Sequence, residues 1–182
     1  LANQEIGGQF TIEFWAKGNG NAGQNSTFIE ALDTANRRIL NIHLPWSNNN
    51  IYFDAGDETG YDRINQAATP AELDNTWVHW AFVKDQANAQ MFIYKNGQLW
   101  HAGANKTREM GYIHRMVLGF SNNQNLGWKG NIDELRVYNA ALSQSTILAN
   151  FQAQIDNTHP NWNDLLLYHN FDELAFAKDE SP

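Results

Sequence analysis

The sequence predicts an all-β protein, a sandwich of two antiparallel sheets with one short helix near residues 143–153. Three observations predict it. Apolar and polar residues alternate with a period of two in run after run, clusters of Gly, Asn, Asp and Pro separate the runs, and an Asn96-Gly97 dipeptide joins two of them. Composition agrees: aromatic residues make up 13% of the chain and charged residues only 18%, which suits a pleated, half-buried surface and not a disordered one.

Taken in order, "QFTIEFWAK" (9–17) places Phe10, Ile12, Phe14 and Ala16 on one side and Thr11, Glu13, Trp15 and Lys17 on the other, the mark of a half-buried strand. Runs at "RRILNIHL" and "NIYFDA" follow. In "TWVHWAFVK" both faces are apolar, Trp77, His79, Ala81 and Val83 against Val78, Trp80 and Phe82, so this strand is central. His79 on it reads as a hydrogen-bonded histidine and not as a metal ligand, because no second His lies at ligand spacing. "QMFIYK" and "QLWHAG" form a hairpin through Asn96-Gly97, since both central positions of a type I′ turn need positive φ. After "RMVLGF" and "NIDELRVYN" comes "SQSTILANFQA", with Ser143 as N-cap and Ile147, Leu148 and Phe151 on one helical face. Residues 154–164 are a polar, Pro-containing connector, and 165–182 hold a C-terminal strand, "LLLYHNFDE", and a charged tail. A chain of 182 residues is expected to form a single domain, 1–182.

The formal net charge is −8 and the Lys and Arg residues are scattered singly, so no basic stripe exists for a nucleic acid partner. No apolar run approaches the ~20 residues that span a bilayer, so membrane insertion is not expected. The absence of cysteine excludes a disulfide scaffold and a thiol nucleophile. The opening "LANQEIGG" lacks the basic flank and apolar stretch of a signal peptide and reads as a processed or excised piece.

Candidate binding residues collect in two stretches. Trp46, Tyr61 and Trp128 lie in loop-like sequence outside the alternation, and sugar rings stack their C–H faces on such side chains while carboxylates, amides and guanidinium groups bind the hydroxyls. His43, Asp54, Arg63, Asn122, Asn123 and Asn125 lie nearby. A ligand site built from 43–63 and 120–128 at one rim of the sandwich is therefore expected; the competing role for Trp46, after Pro45, is to plug the sandwich edge. Asp54, Asp57, Glu58 and Asp62 form a second oxygen cluster that fits a solvated acidic loop better than a metal site. For hydrolysis two carboxylates must flank the scissile bond. The adjacent pair Asp133 and Glu134 points to opposite faces of a strand, so an enzyme is not expected.

The segments "FTIEFWAK", "WVHWAFVKD", "MFIYKNGQLW" and "WKGNIDELRVYNAALSQSTI", in that order, resemble the laminin-G-like jelly-roll domains of the concanavalin A-like lectin/glucanase superfamily. The resemblance implies two antiparallel sheets packed face to face, on a fold that hosts lectins, adhesion modules, glycan-degrading enzymes and spacers alike. It also implies a structural calcium ion at Asp133, completed to about six to eight oxygens by carbonyls of an early loop; the alternative is an ion pair of Asp133 with Arg136. "LLLYHNFDE" resembles the segment that opens such domains in tandem arrays. Its position at the end implies either a cut between repeats or recruitment of this strand into the preceding sheet. "NIH" (41–43) and "YFDAG" (52–56) resemble pieces of alginate-lyase motifs, with His43 as base and Tyr61 as acid. Here, however, Asp57-Glu58-Thr59 follows where those motifs carry Tyr and Gln. The expectation is a non-catalytic carbohydrate-binding or adhesion module of a larger extracellular or cell-surface protein. A glycan is its preferred partner, and a protein partner or spacer role is the alternative.

Overall fold

The computed structural model describes residues 3, 5–122, 126–172 and 181, so Asn123, Asn125 and nearly all of the charged tail lie outside the described residues. Eleven strands run as β1 (Gln9–Gly18), β2 (Ile29–Leu32), β3 (Arg38–His43), β4 (Asn50–Asp57), β5 (Gly60–Ala67), β6 (Val78–Asp85), β7 (Gln90–Lys95), β8 (Gln98–Ala104), β9 (Arg115–Leu118), β10 (Gly130–Tyr138) and β11 (Leu165–His169). Two helices, α1 (Pro70–Leu73) and α2 (Gln144–Asn150), and a 3-10 turn at Trp162–Asp164 complete the described elements. The strands form a six-stranded sheet, β11-β10-β1-β6-β7-β8, and a five-stranded sheet, β5-β4-β3-β2-β9, antiparallel throughout.

The alternation in β1 is realised as read. Phe10, Ile12 and Phe14 enter the core between the sheets, where Phe14 stacks on Phe28 at 4.0 Å and lies 5.8 Å from Phe82. Phe53 of the five-stranded sheet meets Phe82 edge-on at 5.4 Å. Burying each such ring stabilises the fold by roughly 1.5–3 kcal/mol. β6 lies inside its sheet, between β1 and β7, as its two apolar faces require. The β7–β8 turn has Asn96 at φ 50° and Gly97 at φ 75°, and Lys95 pairs with Gln98, so the two-residue turn sets the hairpin register.

Four elements differ from the sequence reading, among them the four-residue α1, which forms where no helical pattern was read. β2 went unread because its four residues are too few to display a period. β5 went unread because only Ile64 of its eight residues is buried, so it looks like a polar loop. In α2 the cap is as expected, with the Ser143 hydroxyl accepting from Thr146 N at 3.2 Å. Ile147 is buried, but Leu148 is exposed and Asn150 takes the inward position, because residues three apart share a helical face whereas neighbours do not.

β11 pairs with β10 at the edge of the six-stranded sheet, which is the recruited arrangement of the C-terminal strand. The outer side of that sheet is covered by α2 and the connector. Ala81, Val83, Tyr138, Ile147, Ile155 and Leu165 form a second apolar cluster there. Beneath the cover lies a buried polar network. Arg136 Nη1 is 3.3 Å from Glu13 Oε1, Tyr138 Oη donates to the same oxygen at 3.1 Å, and His79 Nε2 is 3.7 Å from Glu13 Oε2. Arg136 also donates to the Asn150 and Ala153 carbonyls at 3.2 and 2.9 Å and pairs with Glu134, so it ties the covering segment to β1 and β10.

Candidate functional site

The outer face of the five-stranded sheet, turned away from the core, is polar where a bare sheet face would be exposed and featureless. Leu40, Ile42, Phe53 and Ile64 point inward; period two then sends Asn41 and His43 of β3, Tyr52 and Asp54 of β4, and Tyr61 and Arg63 of β5 outward. Register makes them neighbours. His43 stands opposite Tyr52 and Asn41 opposite Asp54, Asp54 stands opposite Arg63 and Gly56 opposite Tyr61, and Asn41 stands opposite Glu30 on its other side. At Gly56 a Cβ would lie 2.5 Å from Tyr61 Cα, so only glycine lets β5 approach closely enough to present Tyr61 here.

The centre of the group is an ion pair. Arg63 Nε and Nη2 each lie 2.6 Å from one oxygen of Asp54, a two-pronged geometry that fixes both side chains. The same guanidinium lies 4.9 Å from the Tyr52 ring centroid and 5.0 Å from that of Tyr61, held between two aromatic faces. These bonds to Asp54 raise the Arg63 pKa further above its ordinary value. Asp54 is almost wholly buried, so Arg63 masks the carboxylate from above.

Trp46 reaches the site from the turn between β3 and β4. Trp46 N donates to Asn50 O and Asn49 N to Trp46 O, closing a turn that needs Asn49 at φ 61°. The indole packs against the His43 ring at 4.3 Å. His43 lies 2.9 Å through Nδ1 from the Ser26 carbonyl, so Nδ1 carries the hydrogen and Nε2 is the acceptor. Burial pushes its pKa down to about 4, so the ring is neutral at pH 7. The Tyr52 hydroxyl accepts from Asn48 Nδ2 at 2.9 Å.

Together Arg38, His43, Trp46, Tyr52, Tyr61 and Arg63 line an open pocket of about 310 Å³. Of the six sequence-predicted ligand residues, five converge here: His43, Trp46, Tyr61 and Arg63 on its walls and Asp54 beneath Arg63. Tyr61 and Arg63 stand on strand β5 and not in a rim loop, so this part of the site is a sheet face. Trp128 is not brought to it. Thr27 bridges to Gly127, which seats the indole edge-on against Phe28 at 5.0 Å, in the core. Sequence reasoning missed Arg38, Asn41 and Tyr52 as site residues. The polar positions of "RILNIH" alternate with Leu40 and Ile42, and that signal was available for Asn41.

Asp133, the expected calcium ligand, is on β10 at the far sheet. Its Oδ1 accepts from Glu134 N at 2.9 Å, and burial, with Glu134 and Asp172 nearby, raises its pKa. Arg136 does not pair with it; that guanidinium goes to Glu13 and Glu134. Among the described residues no three His, Asp or Glu side chains gather as a metal site. The Asp57 region is likewise spent locally, Asp57 Oδ1 accepting from Thr59 N at 2.7 Å and lying 3.4 Å from Arg108.

Two antiparallel sheets packed face to face, with an aromatic and charged pocket on one outer face, place the chain in the class of β-sandwich domains. The family follows from sequence. The laminin-G family model described as the concanavalin A-like lectin/glucanases superfamily matches residues 1–148, and the chain belongs to that family. Among curated proteins no sequence matches. Solved structures share the fold, the following three among them. A candidate carbohydrate-binding protein from Bacteroides ovatus is 16% identical, with a TM-score of 0.64 over 94% of this chain and 49% of that one. The botulinum neurotoxin serotype D ligand-binding domain in complex with N-acetylneuraminic acid is 16% identical, with a TM-score of 0.62 over 80% of this chain and 36% of that one. The binding domain of botulinum neurotoxin DC in complex with rat synaptotagmin II is 18% identical, with a TM-score of 0.59 over 79% of this chain and 35% of that one. The chain thus spans a third to a half of the length of these structures.

Proposed function

We propose that this chain is a non-catalytic carbohydrate-binding module of a larger extracellular or cell-surface protein, and that it binds sugar in the pocket of Trp46, His43, Tyr61 and Arg63. The observation that carries this reading is the pocket itself: indole and phenol faces set beside fixed polar groups, a neutral His43 acceptor and an Arg63 donor, on the outside of a rigid sheet. Sugar recognition needs such a combination of apolar faces and oriented hydrogen-bonding groups. The non-catalytic reading is supported by Asp54, whose two oxygens are both held by Arg63, and by the lining, which among the described residues contains no carboxylate.

A glycan array tests it. Wild-type protein is expected to give reproducible hits, and Trp46→Ala is expected to lose at least about tenfold in affinity, the range for truncating an aromatic anchor, while still unfolding cooperatively. Silence of the folded wild type across a broad array sinks the reading. The second reading, a protein-binding module using the same face, draws on the synaptotagmin complex of a fold neighbour; pull-down of a protein partner that Trp46→Ala abolishes, with a silent array, would favour it.

A calcium ion at Asp133 remains a proposal with its own check. Because the carboxylate partners there are few, it would draw most of its oxygens from backbone carbonyls and water. EDTA lowering the melting temperature of the wild type, but not of Asp133→Ala, is the result such an ion requires.

A further inference from the structure

We propose that the ligand is an acidic sugar, one whose ring bears a carboxylate, and that Arg38 reads the charge. This rests on the carbohydrate reading above and narrows it to one chemical class.

The charge at the pocket runs against that of the chain. The protein carries a formal −8, yet both charged residues that line the pocket are arginines, Arg38 and Arg63. The nearest carboxylate, Asp54, is 1% exposed and faces them from beneath. Glu30 stands on the next strand and shares an adjoining cavity with Arg38 and Tyr61; it accepts the backbone N–H of Asn122, and Arg115 from β9 pairs with the Asn122 side chain. His43 is neutral. Within the pocket itself two guanidinium groups are set against one buried carboxylate, a local excess of one positive charge.

The two arginines are not equivalent. Arg63 is consumed by Asp54 on two of its nitrogens and clamped between two tyrosine rings. Arg38 is not consumed. Its closest approach to a carboxylate is 3.8 Å, to Asp54 Oδ2, too long for a hydrogen bond, and its guanidinium rests 5.7 Å from the Tyr61 ring centroid with a third of the side chain exposed. Among the described residues no side-chain hydrogen bond occupies its donors. A guanidinium that is steered by a ring and a buried charge, but left with free donors, is prepared for an external anion.

The floor of the same face gives an independent sign of a ligand. Asn41 lies between Arg38 and His43 on β3 and across from both Glu30 and Asp54. Its side chain is wholly buried, and neither Nδ2 nor Oδ1 has a hydrogen-bond partner. A buried amide with both ends open is costly unless something supplies the missing bonds. A sugar acid brings what the site lacks: an anion for Arg38, a hydroxyl that donates to His43 Nε2, and hydroxyls that reach Asn41 through a bridging water. A single excess charge suits a carboxylate better than a doubly charged phosphate, and the planar fork of arginine matches the planar carboxylate.

The test compares matched probes by calorimetric titration: trigalacturonate, a hyaluronan tetrasaccharide and sialyllactose, each beside its carboxyl-reduced neutral counterpart, with a sulfated neutral oligosaccharide as a further arm. At least one carboxylated probe is expected to bind about tenfold or more tightly than its reduced form, as the loss of a charge-assisted hydrogen bond implies. Arg38→Gln should remove that preference, bringing each carboxylated probe to within about twofold of its reduced form, while leaving the melting temperature near wild type. Reduced or sulfated probes binding as tightly as carboxylated ones, or an Arg38→Gln variant that keeps the preference, would overturn the carboxylate assignment and leave the carbohydrate reading standing. No binding of any sugar by folded wild type would overturn both.

Discussion

Replacing Arg136 by methionine is expected to lower the unfolding free energy by about 3–5 kcal/mol, the usual cost of removing one partner from a buried ion pair. The guanidinium is nearly inaccessible and Glu13 is wholly so. Burial already raises the Glu13 pKa, and the Arg136 charge is the largest influence opposing that rise. Without it the carboxylate must either stay charged and unpaired or take up a proton. The deficit should therefore be greatest at neutral pH and shrink as pH falls toward the point where Glu13 protonates. The variant also strips donors from the Asn150 and Ala153 carbonyls, so hydrogen exchange should accelerate first in α2 and the connector. Combining Arg136→Met with Glu13→Gln should recover much of the loss, because an uncharged pair has no desolvated ion to leave behind. Urea denaturation of the four proteins in a double-mutant cycle measures this. A cost under about 1 kcal/mol for the single variant would mean that water reaches Glu13 in the native state.

Stability is expected to fall steeply in acid, with His43 and His79 as the principal contributors. Burial pushes the His43 pKa down to about 4, and burial followed by the Arg136 charge pushes that of His79 down to about 3. Both rings are thus neutral in the fold, while in the unfolded chain they protonate near the ordinary value of about 6.5. Between those limits the unfolded state binds more protons, so stability rises with pH. The contribution is complete above about pH 6.5 and is lost progressively as pH falls to about 4 for His43 and about 3 for His79. Each pKa unit corresponds to about 1.4 kcal/mol, so His43 alone accounts for a loss on the order of 3 kcal/mol. Melting temperatures from pH 7 downward check this. A His43→Gln, His79→Gln protein should show a markedly flatter profile down to about pH 4, below which carboxylates held low by their hydrogen bonds, such as Asp57, take over. An unchanged slope in the double variant would refute the assignment.

What could be read along the chain was whatever a local pattern encodes. The period of two in "QFTIEFWAK" states which side of β1 is apolar, the two apolar faces of "TWVHWAFVK" state that β6 is central, Asn96-Gly97 fixes a turn through its backbone requirement, and Ser143 starts α2 through one hydroxyl. Each is a property of neighbours in sequence, and each is found in the fold. Failures occurred where the pattern is short or diluted. β2 has four residues, and β5 buries only Ile64, so the strand that carries Tyr61 and Arg63 looked like a loop.

The site depended on more than local pattern. Alternation assigns Asn41 and Asp54 to a face, but only the pairing of β3 with β4, and of β4 with β5, sets Asp54 between Asn41 and Arg63 and lays Arg63 between Tyr52 and Tyr61. Trp128 is the kind of residue that binds sugars, and the bridge of its neighbour Gly127 to Thr27, ahead of β2, places it in the core instead. Glu13 and Arg136, 123 residues apart, become a buried pair only when α2 and the connector close over the six-stranded sheet. The sequence alone determined the strongly patterned elements and the two-sheet architecture, because hydrophobic periodicity and turn chemistry act over a few residues. The tertiary structure alone decided which polar side chains meet, because cross-strand register and the covering of a sheet face are set by packing between segments far apart in the chain.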